Sequence, residues 1–169
     1  MGILSGNPQE EPMHYGEVFS AWEYLMVSNK TIADHQMLMN HVGDGDLKKL
    51  LKDAVEQAQQ EAKQVSEVLT QNGVGLPPAA PEPPSVDLED IPVGARFQDP
   101  DVAAAASAKV AAGLVACSQI MGTSIREDIV MMFGQFHMNK AALGGKFLKL
   151  TKEKGWLVPP PLHHASKSD

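Results

Sequence analysis

An all-α protein, a four-helix bundle with a long crossover between its second and third helices, is predicted by three features of this 169-residue sequence. Apolar residues recur at helical spacing in four stretches, and no β-branched alternation competes with them. Two short turns and one proline-rich segment of 24 residues, 74–97, join the four stretches. One bundle domain over 13–158 is expected, between a flexible N-terminus (1–12) and a flexible tail (159–169).

The first helix is expected over 13–42, where proline is absent and Trp22, Leu25, Ile32 and Met39 share a face. Gly43, Asp44, Gly45 and Asp46 break it, and either aspartate can cap the second helix (46–72) by accepting from its free N–H groups. Along that helix Leu47, Leu51, Ala54, Ala58, Glu61, Val65 and Val68 step by four and three, the stripe of a bundle helix. Asn72-Gly73 is its stop. The segment 74–97 holds six of the 12 prolines and cannot be regular helix. Asp99 is expected to cap a third helix (99–122), whose stripe of Ala103, Ala106, Val110, Gly113, Cys117 and Ile120 implies close helix packing. Ser124-Ile-Arg-Glu127 reads as a capping box for the fourth helix (125–154), which Gly155, Trp156 and the prolines at 159–161 end.

Short turns force antiparallel neighbours, whereas 24 extended residues reach along a bundle about 40 Å long. A ferritin-like crossover is therefore expected over a plain up-down-up-down bundle with an oversized loop.

The net charge of -7 argues against nucleic acid, since no basic face is segregated. One cysteine, Cys117, excludes an internal disulfide framework. No signal-like start and no uninterrupted run of about 18 apolar residues is seen, so a soluble protein, cytoplasmic at synthesis and without a membrane partner, is expected.

Di-iron ferritin-like bundles carry a Glu on two helices and Glu-x-x-His on the other two. This sequence has Glu61-Ala-Lys-Gln64 and Gly134-Gln-Phe-His137 instead. Asn29, Glu61 and His137 are nonetheless expected near mid-helix, where they would form one polar layer. Its favoured form is a hydrogen bond from His137 to Glu61 or to a backbone carbonyl without a cofactor, because a buried carboxylate needs a partner. A single metal ion on these residues is the lesser expectation, and solvent exposure of one member the least. A surface metal site from His14, Glu17, His35 and His41 is weaker still, and His163-His164 is read as tail. Cys117 reads as buried packing, and Met131, Met132 and Met138 as adaptable core filler.

Several motifs together resemble a known family. They are Glu17 followed by Trp22, the Asp-rich turn at 43–46, Gly73-Val-Gly-Leu-Pro-Pro78, Ser124-Ile-Arg126-Glu-Asp128-Ile-Val-Met-Met-Phe133 and Lys154-Gly155-Trp156-Leu-Val-Pro-Pro160. In this order they resemble the ferritin-like, spore-coat-type proteins of endospore-forming bacteria related to coat protein F, as a single-copy member, over roughly 13–160. The resemblance implies a ferritin-like bundle, an association with sporulation or the spore coat, and no catalytic residues to carry over. The Arg and Asp that recur there fall on Arg126 and Asp128, read as structural. Arg126 at a helix start opposes the helix dipole, so it needs a carboxylate partner, for which Glu17 is the expectation.

The function expected is therefore a non-enzymatic structural or interaction protein, a homodimer using apolar surface around Trp22, Tyr24 and Trp156, with other coat proteins as further partners. The alternative is a ferritin-like metal-binding protein or oxidase with a degenerate mid-bundle site.

Overall fold

The computed structural model describes residue 7 and residues 10–79 and 81–163. Part of the expected flexible N-terminus, and the tail from residue 164 onward, including His164, lie outside the described residues. Among the described residues the regular structure is helical throughout: α1 (Tyr15–Met39), α2 (Gly45–Gln71), α3 (Asp99–Thr123) and α4 (Glu127–Glu153), with short 3-10 turns at Leu88–Asp90 and Val93–Ala95.

α1 and α2 form one antiparallel hairpin, and α3 and α4 form the other. α1 lies against α3 and α2 against α4, while α1 and α4 are diagonal and meet through side chains, with the Tyr24 ring 5.0 Å from that of Phe133. The segment after α2 leaves beside Trp22, whose indole N–H donates to the Gly75 carbonyl at 3.0 Å. It then runs along α1 past Gln36, which bonds Glu82, and Asn40, which bonds the Pro84 carbonyl and the Val86 N–H. α3 begins beside the α1–α2 turn, at the far end of the bundle, where Asp99 accepts from Gly43 and Asp44. The connection thus crosses the bundle lengthwise, which is the ferritin-like arrangement and not the up-down-up-down one.

Asp44 caps α2 through Asp46 N–H and Leu47 N–H, each at 3.0 Å. The α2 stop at Gly73 has φ 72° and that after α4 at Gly155 has φ 70°, the left-handed backbone that glycine adopts without strain. Two expected caps are corrected. Asp99 is already helical, and its carboxylate serves the α1–α2 turn instead of its own helix. Ser124 does not cap α4 either: it closes α3, with its hydroxyl on the Ile120 carbonyl, and the free N–H groups of Ile125 and Arg126 go to Glu17.

The stripe expected for α1 is also shifted. Leu25 is buried, but Trp22, Ile32 and Met39 are only partly so, and the interior face runs through Glu17, Ala21, Tyr24, Ser28, His35 and Leu38. Polar residues on that face hid it from an apolar periodicity. On α4, Met132 packs against the core, whereas Met131 and Met138 are 75% and 67% exposed, so these two are not core filler. The apolar seam of that helix is carried by Ile129, Phe133, Phe136, Leu143, Phe147 and Leu150.

α3 contains a stretch apolar enough by length and composition to cross a membrane, with mean hydropathy 1.4, of which only 22% is buried in the bundle. Alanines supply much of that apolarity. The buried side of the helix, including Ala103, Ala106 and Cys117, packs on α4 and α1.

Candidate functional site

The bundle interior is two apolar clusters, one around Leu47, Leu51 and Phe147, the other around Leu25, Val65 and Phe133. Between them lies a polar layer to which every helix contributes. On α4 the seam passes from Phe136 through Lys140 to Leu143, and on α2 from Ala58 through Glu61 to Val65.

Lys140 and Glu61 form an ion pair, Nζ to Oε2 at 2.7 Å, with side chains only 14% and 3% exposed. The Tyr24 hydroxyl donates to the same Oε2 at 2.8 Å, and Gln57 Nε2 donates to Oε1 at 3.0 Å. A buried carboxylate is tolerable only with such a set of donors, because its lost hydration must be replaced inside. The ammonium also lies 5.7 Å from the centre of the Tyr24 ring. Burial, with the Glu61 charge beside it, pushes the Tyr24 phenol far above its ordinary value, so it remains a donor.

Gly113 is what admits Lys140. A Cβ at that position would stand 2.8 Å from Lys140 Cδ, so α3 offers a bare backbone where the lysine stem passes toward Glu61. Cys117, fully buried one turn further along α3, is 3.9 Å from the Tyr24 hydroxyl, and burial raises its thiol pKa, so it is not an activated nucleophile.

The expected Asn29–Glu61–His137 layer does not assemble. Glu61 is satisfied by Tyr24, Gln57 and Lys140, while His137 is half-buried and Asn29 faces a shallow depression beside Gln59 and Glu82. The reason is helical phase. Lys140 continues the seam 129, 133, 136, 143, 147 and 150, and His137 sits one residue, about 100°, past Phe136. A lysine interrupting an otherwise apolar seam, opposite a glutamate interrupting another, was the signal in the sequence that pointed to this pair.

The histidines of α1 do not converge. His14 is the N-cap: its Nδ1 accepts from Gly16 N–H at 2.9 Å, so Nε2 carries the proton and reaches the Thr123 carbonyl at 3.1 Å. His41 accepts from Phe97 N–H. His35 is buried, 3% exposed, and among the described residues neither ring nitrogen has a hydrogen-bond partner. Burial, then the Lys109 ammonium, pull its pKa from 6.5 down to about 4, with Asp34 opposing and Lys140 adding. Among the described residues, no three His, Cys, Asp or Glu side chains are placed to hold one metal ion.

Among the described residues the guanidinium of Arg126, 2% exposed, makes four hydrogen bonds: two to Asp128, one to the Glu11 carbonyl and one to Asn72 Oδ1. The guanidinium beside Asp128 holds that carboxyl below its ordinary value. Glu17 is not the side-chain partner that was expected. Its Oε1 accepts the Arg126 and Ile125 backbone N–H groups at 2.9 and 2.8 Å, and its Oε2 accepts His14 N–H.

Nor do the three aromatic residues form one surface. Tyr24 is buried, Trp22 packs on the cluster around Phe133, and Trp156 packs on the cluster around Phe147 toward the opposite end.

Comparison with known proteins places this architecture. The Bacillus subtilis (strain 168) protein YvdQ, described as uncharacterized, is 69% identical over 163 residues, 96% of each chain. The crystal structure of a protein from Bacillus halodurans C-125, provisionally described as a spore coat protein, is 58% identical with TM-score 0.92, over 94% of this chain and 100% of that one. A two-domain protein of Anabaena variabilis ATCC 29413, with DJ-1/ThiJ/PfpI-like and ferritin-like domains, is 12% identical and shares the fold alone. Its TM-score is 0.65 over 96% of this chain and 43% of that one. The description "protein of unknown function (DUF3231)" belongs to the family that matches residues 1–168.

Proposed function

The chain belongs to the DUF3231 family, and from that premise we propose that it is a non-enzymatic structural protein of the sporulation programme, built into or onto the spore coat. The observation that carries the non-enzymatic part is the Lys140–Glu61 pair. In a metal-dependent ferritin-like bundle the interior carboxylates face a cation, and here an ammonium fixed to the chain takes that place. Glu61 has both oxygens engaged, so a metal would have to displace Lys140 and leave a second cation buried beside it. The spore association is supported by the coat description of the Bacillus halodurans relative at 58% identity.

Assembly is the role left to such a bundle, and α3 is the face we assign to it. From Val102 to Ile125 the only charged residue is Lys109, in a chain of net charge -7. Ala104, Ala108, Ala111 and Val115 are exposed there. An uncharged helix face on an acidic protein suits a matching uncharged face, which a second copy supplies about a two-fold axis. Other coat proteins would then meet the charged remainder.

A fluorescent fusion in sporulating Bacillus subtilis is expected to gather at the forespore surface and fractionate with the coat. Diffuse fluorescence at every stage overturns the spore assignment. Untagged protein is expected to carry no stoichiometric iron, zinc or manganese, and stoichiometric metal would favour the metalloprotein reading. Light scattering is expected to give a dimer that Ala111→Glu converts to a monomer, and an unchanged mass for that variant removes α3 from the interface.

A further inference from the structure

A cleft of about 400 Å³ opens between α1 and α3 at the height of the polar layer. It is deep, because its lining includes Ala58 of α2 and Lys140 of α4 as well as Tyr24 and Ser28 of α1 and Gly113 of α3. That volume falls within the range of small-molecule sites, roughly 300–1,000 Å³. We propose that this cleft binds a small amphiphilic monocarboxylate, with its carboxylate between Lys109 and Lys140 and its hydrocarbon body along Val27, Ala116 and Ile120.

The sign of the ligand follows from which hydrogen-bonding capacity is already used. Both oxygens of Glu61 are engaged, by Tyr24 and Lys140 on one and Gln57 on the other. Asp34 is engaged by Lys30 on Oδ1 and by Lys109 on Oδ2. The ammonium groups are not used up. Among the described residues Lys140 makes one hydrogen bond, to Glu61, and Lys109 makes one, to Asp34, so each three-donor group keeps N–H capacity for an acceptor. Both lysines line the cleft, as do the hydroxyl-bearing Ser28 and Thr31. Around the two ammonium groups the neighbouring carboxylates Glu61 and Asp34 are occupied while donor capacity remains. That selects an acceptor ligand there and, through charge assistance, an anionic one. The exposed Glu23 in the lining disfavours an anionic head group beside it.

Val27, Ala116 and Ile120 give a hydrocarbon body a wall without side-chain polar atoms, while Ser20, Glu23 and Gln119 complete the lining.

The test is calorimetric titration of the full-length protein with octanoate, 1-octanol and octylamine, which share a chain and differ in head group. Octanoate is expected to bind saturably at one site per chain, at least about tenfold more tightly than the alcohol, the cost of losing a charge-assisted hydrogen bond. The amine is expected not to bind. Ala116→Trp fills the cleft and is expected to abolish binding with the helical circular dichroism unchanged. Lys109→Met removes a half-exposed ammonium without disturbing the Lys140–Glu61 pair, and is expected to weaken octanoate about tenfold while leaving octanol unaffected. Absence of saturable octanoate binding, equal affinity for the alcohol, or undiminished binding by a folded Ala116→Trp protein overturns the proposal.

Discussion

Glu17 and Asp99 do the same work at opposite ends of the bundle. Each sits in the first turn of the leading helix of one hairpin and accepts two consecutive backbone N–H groups from the turn of the other. Glu17 takes those of Ile125 and Arg126, and Asp99 takes those of Gly43 and Asp44. The two hairpins are locked reciprocally through these carboxylates, a pseudo-two-fold relation that the different turn sequences conceal. Glu17→Ala strands buried donors and is expected to cost about 2–3 kcal/mol, whereas Asp99→Ala, where water reaches the turn, should cost about 1 kcal/mol. Urea unfolding measures both, and equal losses would mean that burial does not distinguish the two ends.

The central pair gives a second test. Lys140→Met leaves Glu61 buried beside only neutral donors and is expected to destabilise by about 3–5 kcal/mol. The double variant Lys140→Met/Glu61→Leu should recover much of that loss, and His137→Leu should change stability by less than about 0.5 kcal/mol. A double-mutant cycle in guanidinium measures the coupling. Additive single effects would dissolve the pair as an energetic unit.

Two helical glycines should respond with opposite signs. Gly145 has nothing within 4 Å of where a Cβ would stand, so Gly145→Ala is expected to stabilise by about 0.5–1 kcal/mol through lower unfolded-state entropy. Gly113→Ala gains the same helix propensity but drives into Lys140 Cδ at 2.8 Å, and the lysine cannot swing away without releasing Glu61. A net loss is expected. Melting temperatures resolve the pair, at roughly 2–4 °C per kcal/mol for a chain of this size.

His35 makes stability pH-dependent in a window of its own. Its folded pKa, about 4, lies below the unfolded 6.5, so between these values the unfolded chain binds the extra proton and folding weakens as pH falls. Above 6.5 the contribution is complete, and by pH 4 on the order of 3 kcal/mol is lost. Asp34 and Asp128, whose pKa values are lowered in the fold, keep their contributions through this window and lose them only as pH falls below the ordinary carboxylate value of 3.8. Hydrogen bonds with Lys109 and Lys30 outweigh the opposing desolvation at Asp34, and Arg126 acts at Asp128. Stability measured from pH 7 to 4.5 should therefore decline in the wild type and stay flat in His35→Leu. A parallel decline in the variant would assign the effect elsewhere.

The architecture was legible in the sequence because it depends on quantities a sequence carries directly. Helical phase on α2, glycine at the α2 stop, two short turns and a proline-rich segment of 24 residues leave little besides a bundle with a lengthwise crossover. The polar interior was only half legible. Glu61 stood out as a charge on an apolar stripe, but its partner was sought among residues that resemble metal ligands, and His137 was preferred to Lys140. A lysine reaches far along its stem, so what it can pair with depends on the gap left across the bundle, and that gap is Gly113 on a third helix.

Asp99 was expected to cap its own helix and Glu17 to pair with the Arg126 side chain. Both carboxylates instead accept backbone N–H groups of the other hairpin's turn, because only the docking of the hairpins brings that foreign turn within reach. The sequence alone determined which segments are helices and how they connect, since both follow from local periodicity and chain reach. Tertiary structure alone decided which buried charges meet, because a side chain's partner is set by distances between helices that no spacing along one helix encodes.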